Sequence, residues 1–317
     1  MQLNDLRAFV LTVELGNVTR AAARMNRVQS AVSQAIGRLQ KEFGVELILR
    51  GQTGMHPTTA GEHLAKSGQI ILDMVDRLER DMRSYRISGE HPNDGQLVGT
   101  LELGMATSLT PILLSRMLRA LSTAEPRLRV HVKEGLNAEL VRQVVEHRLD
   151  LGIVWLPAAA EGLEIKPLGT TPLALITRAN HPLARCSSVR ISDLASQPFI
   201  SFSKGTVGRS WVEGTCIGAG FVPDIRIEVE HLSEAKAFVE AGVGVTLLPP
   251  GSVRLERKSG IVSVIPLAGA TFQPTFGYAW APNWQSPAAD AARAAIGLLD
   301  RAFEKRPEEA ATTLPTS

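Results

Sequence analysis

Cysteine is nearly absent from this chain. Its two thiols, Cys186 and Cys216, stand in no CxxC or metal-ligand spacing, which excludes a disulfide framework and fits a reducing compartment. They read as free thiols, with a redox switch as the alternative. The seven histidines are equally scattered, so no metal site is expected. No GxSxG elbow, Walker loop or HExxH is present. The fragment GAGFVP from Gly218 is at most part of a dinucleotide fingerprint and follows a helical stretch, where that fingerprint needs a strand, so it reads as a turn. Neither catalytic residues nor a cofactor are expected. No apolar run reaches bilayer length. The opening MQLNDLRAFVLTVELG lacks a basic n-region and is broken by Asp5 and Glu14, unlike a secretory signal. A cytoplasmic protein without membrane contact is the expectation.

The balance of 44% hydrophobic and 21% charged residues is that of a globular protein, and 317 residues are enough for two or three modules. A net charge of +2 says little about partners; its distribution says more. In residues 1–60, Arg7, Arg20, Arg24, Arg27, Arg38, Lys41 and Arg50 outnumber Asp5, Glu14, Glu42 and Glu46. A phosphate-facing surface has this balance, and so do many solvated helical faces.

Periodicity narrows the choice. Leu6, Phe9, Val10 and Val13 describe an amphipathic helix that stops at Gly16. Asn17 is the expected N-cap of a second helix, in which Ala21 and Ala22 allow a close helix crossing. Asn26 marks a turn. A third helix from Gln29 to Phe43 should bury a stripe of Val28, Val32, Ile36, Leu39 and Phe43. Its opposite face carries Ser30, Ser33, Gln34, Arg38 and Lys41, side chains of the types that reach base edges and phosphates. An ordinary three-helix bundle with a solvated face remains equally open on periodicity alone.

The segment VTRAAARMNRVQSAVSQAIGRLQKEFGVELILRGQTGMHPTTAGEHL resembles the N-terminal motif of the LysR-type transcriptional regulators. The likeness includes the Leu6 and Phe9 helix, Ala21-Ala22, Gln29 to Ser33, Leu39, Gly44, Leu47, Arg50, Thr58 and Ala60-Gly61. It implies a winged helix-turn-helix over 1–60, with the third helix as recognition helix and a wing turning between Gly51 and Gly54. Carried over by position, it implies DNA contacts from Gln29, Ser30, Ser33, Gln34, Arg38 and Arg50, and from Gln52 and Thr53 on the wing. Gln40 stands where the family usually has Glu, implying a lost ion pair. Ile48 stands where Phe is usual and still fills an apolar site. Asn17 replaces a Ser cap with an equivalent one.

Beyond the wing, Leu64, Gly68, Ile71, Val75, Leu78, Met82 and Tyr85 alternate spacings of four and three, a heptad seam flanked by charge. A helix over 61–90 should therefore pair through Leu64, Ile71, Val75, Leu78 and Met82, the alternative being packing against its own protein. Two recognition helices held in register read an inverted repeat. In the resembled family this linker (coiled-coil) helix builds the dimer.

After a hinge at ISGEHPNDGQ, apolar runs alternate with helical segments. LVGTLELGMA, RLRVHVKEG and LDLGIVW read as strands; PILLSRMLRALS and AELVRQVVEHR read as helices. Such alternation predicts a parallel sheet covered by helices. A second set comprises PLALITR, PFISF, a helix around Ser210 to Ala219, IRIEVE, SEAKAFVEAG and VGVTLLP, ending near Pro266. TFGYAWA and a helix from Pro287 to Phe303 follow. The resemblance implies a two-lobed, periplasmic-binding-protein-like α/β regulatory domain, with lobe I at 97–168 and 268–305 and lobe II at 169–267. The tail, 306–317, reads as disordered.

Open α/β sheets bind ligands at the carboxyl ends of their strands. Thr107 and Ser108 follow the first strand and precede Pro111, at a helix N-terminus suited to a carboxylate or other anion. N-capping would explain the same residues. Phe202, Ser203 and Lys204 follow PFISF; His231 follows IRIEVE, at a position that borders the pocket in the resembled family. Packing, solvation and a structural histidine are the plainer readings of these four. The expectation is a sequence-specific activator or repressor that senses a small organic acid or other anion. Its partners would be double-stranded promoter DNA, its own copies as homodimer or homotetramer, the effector and RNA polymerase. A solute-binding protein or enzyme with a helical arm, and a constitutive DNA-binding protein whose α/β half only oligomerises, are the competing classes.

Overall fold

A computed structural model describes residues 1–51, 54–88, 99–269, 272–283 and 287–304. The chain divides into two units, Met1–Tyr85 and Arg86–Ser317.

In the first unit, α1 (Leu3–Leu15) ends at Gly16, whose φ of 61° is left-handed. Its N–H donates to the Val13 carbonyl, satisfying an orphan acceptor of the last turn. Asn17 caps α2 (Val18–Arg24), its Oδ1 accepting from the Arg20 N–H at 3.0 Å. Helix α3 (Gln29–Phe43) follows. Ala21 and Ala22 are buried, as are Leu6, Phe9, Val32, Ile36 and Leu39. The expected stripe is shorter than its spacing suggested: Val28 is 69% and Phe43 45% exposed, while Ala35 is buried. Val28 is the extended N-cap residue, φ −79° and ψ 148°, and so does not follow the helical rotation. Phe43 lies in the last turn; crossing helices bury mainly their central turns.

Strands β1 (Ile48–Gly51) and β2 (Gly54–Pro57) pair antiparallel as the wing, Gly51 opposite Gly54. Its orientation is fixed at both ends. Met55 N–H donates to the Gly16 carbonyl at 3.0 Å, and a Cβ on Gly54 would lie 2.8 Å from that oxygen. At the other end the Gln40 side-chain oxygen accepts from the N–H groups of Leu47, 2.9 Å, and Ile48, 3.3 Å. The amide thus serves as an anchor for the wing, and Ile48 packs against the core.

Helix α4 (Thr59–Ser88) starts under the wing. Thr58 Oγ1 accepts from Gly61 N–H at 3.0 Å, and a Cβ on Gly61 would meet the Leu47 carbonyl at 2.0 Å. The heptad positions part company along this helix. Leu64 packs against the first unit's own core, and a Cβ on Gly68 would press on Leu6, so this end of the seam is used within the chain. Further on, Ile71 is 39%, Leu78 60% and Met82 59% exposed; Val75 is half-buried.

The second unit holds two sheets. In chain order its elements are β3 (Gly99–Ala106), α5 (Thr110–Ala124), β4 (Leu128–Gly135), α6 (Asn137–Val145), β5 (Leu151–Leu156), β6 (Glu164–Thr170), β7 (Ala174–Arg178), β8 (Val189–Arg190) and β9 (Pro198–Phe202). Then come α7 (Val207–Gly218), β10 (Asp224–Val229), α8 (Leu232–Glu240), β11 (Thr246–Leu248), α9 (Arg254–Lys258), β12 (Val262–Ala268), β13 (Thr275–Trp280) and α10 (Pro287–Glu304). The first sheet has the order β4-β3-β5-β13-β6 and the second β11-β7-β12-β8; β9 and β10 pair with each other and join the second sheet through a bridge from Phe199 to Val245.

The sheets are mixed rather than wholly parallel. Strands β3, β4 and β5 are parallel, as expected for strands linked through helices, but β13 is antiparallel to both β5 and β6. Strand β13 enters from the second sheet, with no helical crossover to impose its direction. The chain passes between sheets twice, and the two passages are hydrogen-bonded: Thr171 N–H donates to the Pro274 carbonyl at 3.0 Å. The tail at 306–317 lies outside the described residues. Among the described residues no helix is long and apolar enough to cross a membrane.

Candidate nucleic-acid interface and ligand cavity

Burial of Val32, Ala35, Ile36 and Leu39 leaves the other side of α3 to solvent. Gln29, Ser30, Ser33, Gln34 and Arg38 line that side, Gln29, Ser30, Ser33, Gln34 and Arg38 all being exposed. Gln29 donates to Ser33 Oγ at 2.9 Å, which sets the first turn's side chains relative to each other. Arg38 is tethered to α1. Its Nε donates to Asp5 Oδ2 at 3.0 Å and its Nη2 to Oδ1. Asp5 is 5% exposed, and the Arg38 hydrogen bond holds its carboxyl below the usual carboxylate range. One edge of the guanidinium, Nε with Nη2, is thereby engaged, and the side chain stays 54% exposed. Helical spacing gave no hint of Asp5 in this role, because 33 residues separate the partners and no local pattern links them. Arg50 lies in β1, and nothing is described of its side chain; Gln52 and Thr53 lie outside the described residues.

The second unit contains a cavity of about 350 Å³ between its sheets. Helices α5, α6, α7 and α8 begin at its edge, directly after β3, β4, β9 and β10. Thr107, Ser108, Phe202 and His231 line it; Ser203 and Lys204 do not. Ser203 is turned back on β10, its N–H donating to the Val229 carbonyl at 3.0 Å, and Lys204 is exposed. The chain turns after β9 through Gly205, φ 82°, so Thr206, Val207 and Gly208 reach the cavity instead.

Sequence reasoning also missed Trp155 and Trp211, which are among the residues that line it. Trp155 is held at every polar atom. Asn137 at the start of α6 donates through Nδ2 to its carbonyl at 2.6 Å and accepts from its N–H at 3.0 Å. The indole Nε1–H donates to Ser108 Oγ at 2.8 Å. Trp211 meets its ring edge-on, centroids 4.6 Å apart at 84°, and Phe276 does the same at 5.9 Å. The available signal was modest: Trp155 ends an apolar strand, where open α/β sheets place ligands. On α7, Arg209 is buried behind the wall and bonded to Glu213 at 2.7 Å, Glu228 at 2.9 Å and the Phe202 carbonyl at 3.2 Å. Cys216 is fully buried, and burial pushes its thiol up to about 12; Cys186 is exposed. Among the described residues no group of histidine, cysteine and carboxylate could hold a metal ion.

A family model of the LysR substrate binding domain matches residues 94–300, and one of the bacterial regulatory helix-turn-helix protein, lysR family, matches residues 3–62. The transcriptional dual regulator GltC of Bacillus subtilis is 30% identical over 250 residues, 78% of this chain and 81% of that protein. The DNA-binding transcriptional dual regulator OxyR of Escherichia coli is 29% identical over 283 residues, 89% of this chain and 90% of that one. Among solved structures, CbnR, a LysR family transcriptional regulator, superposes with a TM-score of 0.79 at 20% identity, covering 95% of this chain and 99% of that chain. CbnR complexed with its target DNA gives 0.77 at 20% identity, covering 94% and 100%.

Proposed function

The chain belongs to the LysR family of DNA-binding transcription regulators, and on that premise we propose that a small effector in the interlobe cavity sets the geometry of its promoter-bound assembly. The observation that carries this reading is the cavity's lining, drawn from both lobes. A ligand there contacts both walls at once and favours the lobe arrangement in which it can do so; different affinity for two arrangements is the requirement for a switch. Lobe I is taken as 97–168 and 268–305 and lobe II as 169–267, with each boundary moved to the end of its flanking strand, Thr170 of β6 and Ala268 of β12. Thr107, Ser108, Phe202 and His231 contact the effector.

On DNA, Gln29, Ser30, Ser33 and Gln34 read the major groove. Arg38 contacts phosphate through the edge that Asp5 leaves open, and Arg50, Gln52 and Thr53 act from the wing. Ile71, Val75, Leu78 and Met82 form the helix pairing of a homodimer, which assembles further to a tetramer. RNA polymerase is a further partner, and the protein works in the cytoplasm.

Several relatives are named for hydrogen peroxide, which raises thiol oxidation as a second trigger. Burial and a raised pKa keep the Cys216 thiolate scarce, and neither cysteine lines the cavity, so we assign sensing to the cavity. Promoter binding by Ser33→Ala and Arg38→Ala tests the DNA assignment. Each is expected to weaken binding by roughly tenfold or more. Wild-type affinity should fall steeply with salt. Unchanged affinity in both variants, or salt-independent binding, rejects the recognition-helix assignment.

A further inference from the structure

We propose that the effector is a planar, largely apolar molecule, an aromatic ring or conjugated chain, carrying at most one negative charge. This rests on the reading of the interlobe cavity as the sensing site and adds the class of molecule it takes.

The walls favour a flat ligand. Trp155, Trp211, Phe202, Val141, Val207 and Leu248 all line the cavity, and Trp155 is the most constrained. Its backbone is bonded to Asn137 and its indole N–H to Ser108, and it is only 3% exposed, so the little it shows the cavity is ring rather than a polar atom. The edge-on stack on Trp211 keeps that surface in place before any ligand arrives. A rigid aromatic wall suits a flat partner, because little side-chain freedom is lost on binding.

The polar groups favour a single head group. Asn137, Thr206 and Ser108 are already bonded within the protein. Both ends of the Asn137 amide are on Trp155. The Thr206 hydroxyl donates to the Ser203 carbonyl at 2.8 Å and accepts from Arg209 N–H at 3.3 Å. Ser108 accepts from the indole and keeps one O–H to donate. With neighbouring Thr107 it forms one polar point on lobe I, and His231 lies on the other lobe. That is enough to hold one head group at one end of a flat body.

Charge sets the limit. Among the described residues lining the cavity there is no lysine or arginine, and Glu230 is the one acidic side chain. Of the nearby cations, Arg209 carries two carboxylate partners, and Lys204 is exposed and does not line the cavity. A single carboxylate can be met by hydroxyls and the N–H groups at helix starts. A dicarboxylate or a phosphate would bring a second negative charge into a cavity lined by Glu230 and by no lysine or arginine, which is strongly unfavourable.

The test uses the full-length protein with four probes, benzoate, indole, succinate and inorganic phosphate, followed by tryptophan emission and thermal shift. Benzoate and indole should each raise Tm and change emission saturably, with midpoints at least about tenfold below those of succinate and phosphate. Trp211→Leu should weaken both aromatic probes by about tenfold, while Trp211→Phe retains most of the affinity. Tighter binding of succinate or phosphate, or no saturable response to either aromatic probe, overturns the proposal. Val207→Trp, which fills the cavity, separates the two levels. If succinate binds more tightly and Val207→Trp removes that binding, the cavity remains the sensing site and only the ligand class falls. If a probe binds equally well to Val207→Trp, the cavity reading itself falls.

Discussion

On α3 the polar side chains stand in water, with Ser30, Ser33, Gln34 and Arg38 all exposed, whereas in the interlobe cavity Asn137, Ser108 and Thr206 are bonded to the protein and most of the lining is apolar. Each arrangement follows from what is to be recognised. Base edges and phosphates are themselves polar, and a protein face that meets them can exchange water for them with little loss. A small molecule that must shift a whole lobe has to bring its binding energy largely from buried area, which suits a cavity with mostly apolar walls. Even the one strong internal tie of the DNA face, Arg38 to buried Asp5, points a cation outward. The corresponding tie in the cavity, Trp155 to Ser108 and Asn137, removes donors from the ligand's reach.

The largest effect is expected on the exposed apolar positions of α4, proposed above to pair two copies of the chain. Leu78→Asp with Met82→Asp puts two charges on an exposed apolar stripe; sedimentation should show dissociation toward monomer, with promoter affinity down about a hundredfold or more as the second half-site contact is lost. Thermal unfolding of the DNA-binding unit should barely change, which distinguishes a lost partner from a lost fold.

Next comes Ser108→Ala, which leaves the indole N–H of buried Trp155 without its acceptor. The expected loss is about 1–3 kcal/mol of stability, read by denaturant unfolding. An unchanged midpoint would mean the indole finds water, and the contrast between the two surfaces would weaken.

Asp5→Asn sharpens the DNA side. Because the folded-state pKa of Asp5 lies below its ordinary 3.8, the Arg38 pair adds stability above that pH. The contribution is lost as pH falls through the lower folded value. In Asp5→Asn this acid-side slope should flatten and promoter affinity should drop by several-fold, since Arg38 is no longer held. A parallel acid profile in wild type and variant would contradict the pairing.

The smallest effect is on Gly37, mid-helix on α3, where nothing lies within 4 Å of the position an alanine Cβ would take. Gly37→Ala should stabilise the unit by up to about 1 kcal/mol, read as a higher Tm. Weaker DNA binding despite that gain would mean the backbone approaches the duplex there.

How much of this was legible in the sequence differs by element. The caps at Gly16 and Asn17 and the limits of α3 were readable, because each depends on residues within a turn of one another, and the wing strands were placed by the family resemblance. Strand β6 was missed: it is an edge strand containing Lys166, Pro167 and Gly169, residues that weaken the usual signals. Thr107, Ser108, Phe202 and His231 were placed at the cavity by the strand-end rule, while Ser203 and Lys204 were not brought in, because one left-handed turn at Gly205 decides which residues face inward.

The sequence alone determined the three N-terminal helices and the long α4, since helical spacing, caps and turn glycines are short-range properties written in order along the chain; the wing followed from the family resemblance. It also determined the family, through an ordered motif. Tertiary structure decided which heptad positions stay exposed, because Leu64 and Gly68 are covered by Leu6 of α1 and its neighbours. It decided that Arg38 is anchored to Asp5 and that Trp155, Trp211 and Ser108 meet at one wall. Those pairings join residues tens of positions apart, and only the closing of sheets and helix crossings brings them within bonding distance.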